Sequence, residues 1–136
     1  MPFWRCYYHV IWATKFREPM IDAKIETVIF EAVQAKSNEL GCSILGINGT
    51  ENHVHVAVNI PPKLAVADWT KLVKGVSAHA VNDLYPDQDP RFRWQGSYGV
   101  LTFGAQALDF VLDYIANQKE HHRNNTLYAG MEQDDA

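Results

Sequence analysis

Cysteine is scarce in this sequence: 136 residues contain two, Cys6 and Cys42. Neither belongs to a closely spaced set, which excludes a zinc knuckle and a disulfide framework. Isolated thiols of this kind behave as small buried hydrophobes. No stretch approaches the roughly 20 apolar residues that a membrane helix requires. The N-terminus also lacks the layout of a signal peptide, because Arg5, His9 and Trp12 interrupt any apolar core. On these grounds the protein is expected to stay in the cytoplasm.

An excess of positive charge is missing too. Lys and Arg number 12 against 16 Asp and Glu, a net charge of −4. Position matters more than the sum. Glu132, Asp134 and Asp135 all follow the last base, Arg123, and Asp22, Glu26, Glu31 and Glu39 share one predicted helix. Lys15, Arg17, Lys63, Lys71, Lys74, Arg91, Arg93 and Arg123 remain to form a local basic surface. Composition permits a nucleic-acid partner without arguing for one.

Internal repeats, low-complexity stretches and interior linkers are absent, so a single domain is expected over residues 1–123, with a short polar tail at 124–136. Aromatic and β-branched residues at 7–14 predict a first strand. Ile21, Ile25, Val28, Ile29, Ala32, Val33 and Leu40 follow helical spacing up to Gly41. Two strands follow, at 43–47 and 53–60, joined by a turn at 48–51 and closed by Pro61-Pro62. A second helix has Trp69, Leu72, Val73, Val76, Ala80 and Leu84 on its buried side. Residues 92–103 alternate as one long strand, bent at Gly96 and Gly99, and a third helix runs over 105–122. The order β-α-β-β-α-β-α implies an α+β fold, a ferredoxin-like antiparallel sheet with two helices on one face. The opposite face then needs the third helix or a partner chain to cover it.

Chemistry concentrates in two places. In His53-Val54-His55-Val56-Ala57-Val58 the side chains alternate across a strand, so the valines share one face and the two imidazoles the other. Two imidazoles one pleat apart can chelate a divalent metal and leave positions for substrate oxygens. An ordinary histidine pair on a covered strand is the competing account. On the third helix Leu108, Val111, Leu112 and Ile115 make one apolar stripe, and Phe110, Tyr114, Gln118 and His121 a second about a quarter-turn away. Tyr114 and Gln118 lie one above the other: a candidate covalent nucleophile and a hard amide ligand. The bland alternative is a core-edge tyrosine and a surface amide. Asp113 and Glu120 point elsewhere, and His121-His122 with Arg123 suit a helix end.

His53-Val54-His55 together with Tyr114-Ile115-Ala116-Asn117-Gln118 resembles the HUH endonuclease superfamily. The likeness is to the single-tyrosine transposases of small insertion sequences and their REP-associated relatives. It extends through Tyr8-His9-Val10-Ile11-Trp12-Ala13-Thr14-Lys15 with Arg17 and Pro19, Lys71-Leu72-Val73-Lys74-Gly75-Val76-Ser77, Phe92-Arg93-Trp94-Gln95 and Gln118-Lys119-Glu120-His121-His122-Arg123. The chain departs from many relatives at Thr50-Glu51-Asn52, where they carry a Met-Pro pair; this concerns a turn rather than a ligand. It also ends soon after Arg123, where REP-associated relatives often continue.

The resemblance implies Mg²⁺ or Mn²⁺ held by His53, His55 and Gln118, and Tyr114 forming a 5′-phosphotyrosine on single-stranded DNA. It implies hairpin-ended DNA as partner and a homodimer in a prokaryotic cytoplasm. Lys15, Arg17, Lys71, Lys74, Arg91 and Arg93 are then candidate phosphate contacts. Trp94 and Tyr98 are candidate stacking residues, set against an ordinary place in an aromatic core. The alternative is a catalytically inactive or domesticated single-stranded nucleic-acid-binding protein on the same fold. A phosphoesterase with paired histidine motifs would need a second His-x-Ser/Thr, which no other histidine provides.

Overall fold

The computed structural model describes residues 3–120. Strand β1 (Tyr7–Ala13) is followed by a 3-10 turn at Lys15–Arg17 and helix α1 (Ala23–Glu39). Strands β2 (Ser43–Gly49) and β3 (His53–Asn59), helix α2 (Val66–Leu84), strand β4 (Gly99–Phe103) and helix α3 (Leu108–Ala116) complete the chain. The sheet runs β2-β3-β1-β4 with every neighbouring pair antiparallel. This is the ferredoxin-like arrangement that the element order implies.

Local chemistry sets the element ends. The Asp22 carboxylate caps α1 by accepting from Ile25 N at 2.8 Å, which satisfies one of the amides left open at a helix start. Gly41, with φ +76°, ends the helix in the left-handed conformation that a glycine adopts without steric cost. In β3, Val54, Val56 and Val58 pack with Ile25, Ile29 and Val33 of α1 and Trp69, Val73 and Val81 of α2. Ala57, on the opposite face, packs with Val111 and Ile115 of α3. The third helix therefore covers the face that two helices leave open. Cys42 is buried in the larger core, and burial pushes its thiol up.

Two expectations change. Helix α2 buries Trp69, Thr70, Val73, Ser77 and Val81, whereas Leu72 and Leu84 are exposed. Its inward stripe includes small hydroxyl residues because they accept or donate where the core needs it. Trp94 Nε1 donates to Ser77 Oγ at 3.0 Å, just as Trp69 Nε1 donates to Ser37 Oγ of α1 at 3.0 Å. The long strand over 92–103 is likewise broken. Trp94 forms an isolated bridge to Thr14, and β4 begins only at Gly99. Phe92 and Trp94 turn into the larger core instead, with the Asn82 amide bonded to both backbone groups of Phe92 at 3.0 Å. The Lys74 ammonium takes the carbonyls of Gln95 (2.6 Å) and Ser97 (3.1 Å) in place of a neighbouring strand.

The β2–β3 turn is tight. A Cβ at Gly49 would collide with the carbonyl oxygen of His53 and stand 3.1 Å from Val54 Cα. Backbone can move aside less easily than a side-chain tip. Gly49→Ala is therefore expected to destabilise the fold by about 1–3 kcal/mol, as overpacking does. An unchanged urea midpoint would show that the turn relaxes freely.

Candidate active site

The parity of β3 puts His53 and His55 on the α3 side of the sheet, where they are 2% and 0% exposed. Their ring centroids lie 5.1 Å apart. From α3, Tyr114 reaches the same place, its ring 6.1 Å from that of His55 and at an edge-on 72°. Gln118, four residues on, is completely buried. Tyr114 and the histidine pair thus meet within one chain, and Gln118 is buried next to Tyr114, its Nε2 3.5 Å from the Tyr114 carbonyl. Both helical stripes of the sequence contribute, because the buried side of α3 runs from Val111 and Ile115 round to Tyr114 and Gln118. Phe110 falls outside it, 54% exposed. His121 lies outside the described residues.

The end of α3 is tied down from both sides. Asn48 of β2 donates through Nδ2 to the Ala116 carbonyl at 3.0 Å. Lys119 bonds Asn48 Oδ1 at 2.7 Å and Glu26 of α1 at 2.9 Å. Gly46 leaves room for Leu112, whose Cδ2 would stand only 3.0 Å from a Cβ there. Close approach of α3 to β2 is what brings the tyrosine over the histidines.

Each imidazole is held through its Nδ1. His53 Nδ1 lies 2.8 Å from Asn52 Oδ1 and 2.9 Å from Thr50 Oγ1. Since Asn52 Nδ2 donates to the Arg17 carbonyl at 3.4 Å, its Oδ1 faces the ring as an acceptor. His53 therefore carries its proton on Nδ1 and its lone pair on Nε2. His55 Nδ1 lies 2.8 Å from Nε2 of His9, a buried residue of β1. With the shared proton on His55, Nε2 is again the nitrogen with a lone pair. Fixing one ring nitrogen by a hydrogen bond so that the other can bind a metal is how protein sites orient histidine ligands.

His9, Thr50 and Asn52 were not legible as site residues. In the sequence Thr50-Glu51-Asn52 reads as a turn alone, yet the Thr50 and Asn52 side chains hold His53. The usable signal was a histidine at the strand position whose parity puts it beside His55. His9 pairs with Ala57 and Ile11 with His55, so His9 is one pleat away diagonally.

The donor set can be tested against a metal. Among the described residues no three His, Cys, Asp or Glu side chains are grouped to hold one. Gln118 Oε1 is buried with no hydrogen-bond partner among the described residues, an arrangement that costs about 1–3 kcal/mol unless something positive faces it. Two imidazoles and an orphaned amide oxygen fit a divalent ion with coordination positions to spare.

The basic residues fall into separate groups. Lys15 and Arg93 are neighbours through a backbone bond of 2.9 Å, with Arg17 in the same turn. Lys71, Lys74 and Tyr98 line one hollow with Thr70 and Gly96. Lys74 spends its donors on backbone carbonyls, and desolvation lowers its ammonium from the usual value. Arg91 is exposed beside the buried Phe92. Trp94 belongs to the core, its ring edge-on to Trp12 at 5.9 Å and Phe92 at 4.7 Å, which favours the core reading over a stacking platform.

An antiparallel sheet that presents a histidine pair beneath a helix-borne tyrosine defines a single-tyrosine transposase of the HUH type. The chain matches the family of IS200-like transposases over residues 2–118, and it belongs to that family. It is 24% identical over 117 residues to the ISDra2 transposase TnpA of Deinococcus radiodurans, covering 83% of this chain and 84% of that one. To the transposase for insertion sequence element IS200 of Salmonella typhimurium it is 25% identical over 124 residues, covering 88% and 81%. The fold is shared with the crystal structure of a proposed transposase from Deinococcus radiodurans, at TM-score 0.69 and 25% identity over 86% and 93% of the two chains. It is also shared with a REP-associated tyrosine transposase bound to a REP hairpin, at TM-score 0.68 and 11% identity over 90% and 70%. No helix among the described residues is long and apolar enough to cross a membrane.

Proposed function

We propose that this transposase cleaves and rejoins single-stranded DNA through a covalent link to Tyr114, with Mg²⁺ or Mn²⁺ held by His53, His55 and Gln118. The observation that carries the reading is the meeting of Tyr114 with the imidazole pair in one buried cluster, with the buried Gln118 amide next to Tyr114. The Tyr114 hydroxyl attacks phosphorus, the bond to the 3′ oxygen breaks, and a 5′-phosphotyrosine and a free 3′-hydroxyl result. The phenolic proton is made good at the departing oxygen, by way of solvent. Because the linkage conserves the phosphodiester, a second 3′-hydroxyl can reverse the step without ATP. A bound divalent ion would supply charge neutralisation at the nonbridging phosphate oxygens. The substrate in this reading is a hairpin-ended strand of a mobile element, gripped by Lys15, Arg17, Lys71, Arg91 and Arg93, with Tyr98 beside an unpaired base and a second copy of the chain completing a dimer.

Covalent trapping tests it. Labelled single strands from the DNA flanking the gene are mixed with the protein in Mn²⁺ or in EDTA and run on a denaturing gel. A shifted band in Mn²⁺ alone is the expected result. Binding on a native gel without any adduct would instead favour the non-catalytic module.

His9 enters this reading as a positioning residue. His9→Leu removes the partner of His55 Nδ1 with little change of volume. The Mn²⁺ concentration at half of the metal-induced thermal shift should rise by about 10-fold or more, the usual consequence of losing such a partner. An unchanged midpoint would take His9 out of the site.

A further inference from the structure

The turn after β1 is held in a conformation its side chains disfavour. Phe16 and Arg17 have φ of 57° and 53°, the non-glycine residues with positive φ among those described. The left-handed region crowds the Cβ of an L residue, and bulky residues occupy it only where the surroundings impose it. Here they do: Arg17 N donates to the Thr14 carbonyl at 2.9 Å, Thr14 Oγ1 to the Glu18 carbonyl at 2.7 Å, and Phe16 N to Gln95 Oε1 at 3.3 Å. The result is a phenyl ring 74% exposed to water. A ring so exposed gives folding little burial of apolar surface.

Two observations say what the ring faces. Basic residues flank it, and the Lys15 ammonium lies 5.3 Å from the ring centroid. The turn is also joined to the candidate active site through Asn52. Asn52 donates to the Arg17 carbonyl at 3.4 Å and accepts from His53 Nδ1 at 2.8 Å. The turn that carries Phe16 is therefore adjacent to the residue that holds His53.

We propose that Phe16 is a stacking platform for an unpaired nucleobase of the strand bound at the site, with Lys15 and Arg17 on the phosphates to either side. The proposal rests on the function argued above and extends it to a base-binding residue. Every base has a π-face, so stacking holds a strand without reading its sequence. A base inside a duplex has its faces covered, so the platform selects for single strands. The fixed turn presents the ring in advance, which lowers the ordering cost of binding.

The test is fluorescence anisotropy with the full chain in EDTA, where binding is read without cleavage. The probes are labelled single strands from the DNA flanking the gene, and the same strands with one abasic site moved along them. Phe16→Ala should bind the intact strand about 10-fold more weakly, the scale of one aromatic–base stack, and Phe16→Trp should bind as wild type does. One abasic position should weaken wild type by the same factor and leave Phe16→Ala unaffected. Equal binding by wild type and Phe16→Ala, or an abasic penalty that persists at every position in the variant, overturns the platform and leaves the wider function standing. Wild type that binds no strand removes the wider function, and the platform with it. Phe16→Gly, which relieves the strained φ, should melt at or above wild type. A lower melting temperature would mean that the ring serves the fold, and would overturn the proposal.

Discussion

Tyr114→Phe is expected to fold and to bind single-stranded DNA as wild type does, and to form no covalent adduct. The substitution keeps the buried ring, with its edge-on contacts to His9 at 6.4 Å and His55 at 6.1 Å between centroids, and removes one hydroxyl. Losing that group costs about 0.5–1.5 kcal/mol of stability, a small part of what holds a domain of this size together. Its chemical consequence is complete, because phenylalanine has no atom that can take the phosphorus. The measurement is the Mn²⁺-dependent band on a denaturing gel, with melting temperature and native-gel binding as controls. Other tyrosines of the described chain, Tyr7, Tyr8, Tyr85 and Tyr98, are internal competitors. A band that survives Tyr114→Phe and vanishes with one of these would move the nucleophile.

Replacing Gln118 should separate stability from activity. Gln118 is completely buried, its Oε1 has no hydrogen-bond partner among the described residues, and its Nε2 reaches the Tyr114 carbonyl only at a long 3.5 Å. Without a cation such an atom is a liability of about 1–3 kcal/mol. Gln118→Met, similar in length and apolar, should therefore melt a few degrees higher than wild type in EDTA; about 1 kcal/mol corresponds to roughly 3 °C for a chain of this length. The same variant should lose most of the extra stabilisation that Mn²⁺ gives wild type, along with adduct formation. A variant that is less stable in EDTA and still gains from Mn²⁺ would show the amide to be structural and not a ligand.

These predictions rest on residues whose register the sequence discloses. Alternation in His53–Val58 placed both imidazoles on one face and three valines on the other, because a strand permits nothing else. The four-residue spacing placed Gln118 beneath Tyr114 for the corresponding helical reason. Spacing could not say which side of α3 faces inward: two stripes were visible, and packing against β2 and β3 joined parts of both while leaving Phe110 out. Nor could it say that residues 92–98 abandon the sheet. Phe92 and Trp94 alternate like strand residues, but hydrogen bonds with Asn82, Ser77 and Lys74, all on α2, hold that segment elsewhere.

Local periodicity and the motifs of the family thus disclose the element order, the ferredoxin-like class and the candidate residues of the site. Only tertiary structure decided how those residues are held. His9 reaches His55 across a strand pair, Asn52 ties His53 to the Phe16 turn, and α3 closes over its own chain's histidines. Each of these is a contact between segments far apart in the chain, and period and propensity carry no information about such partners until the sheet brings them together.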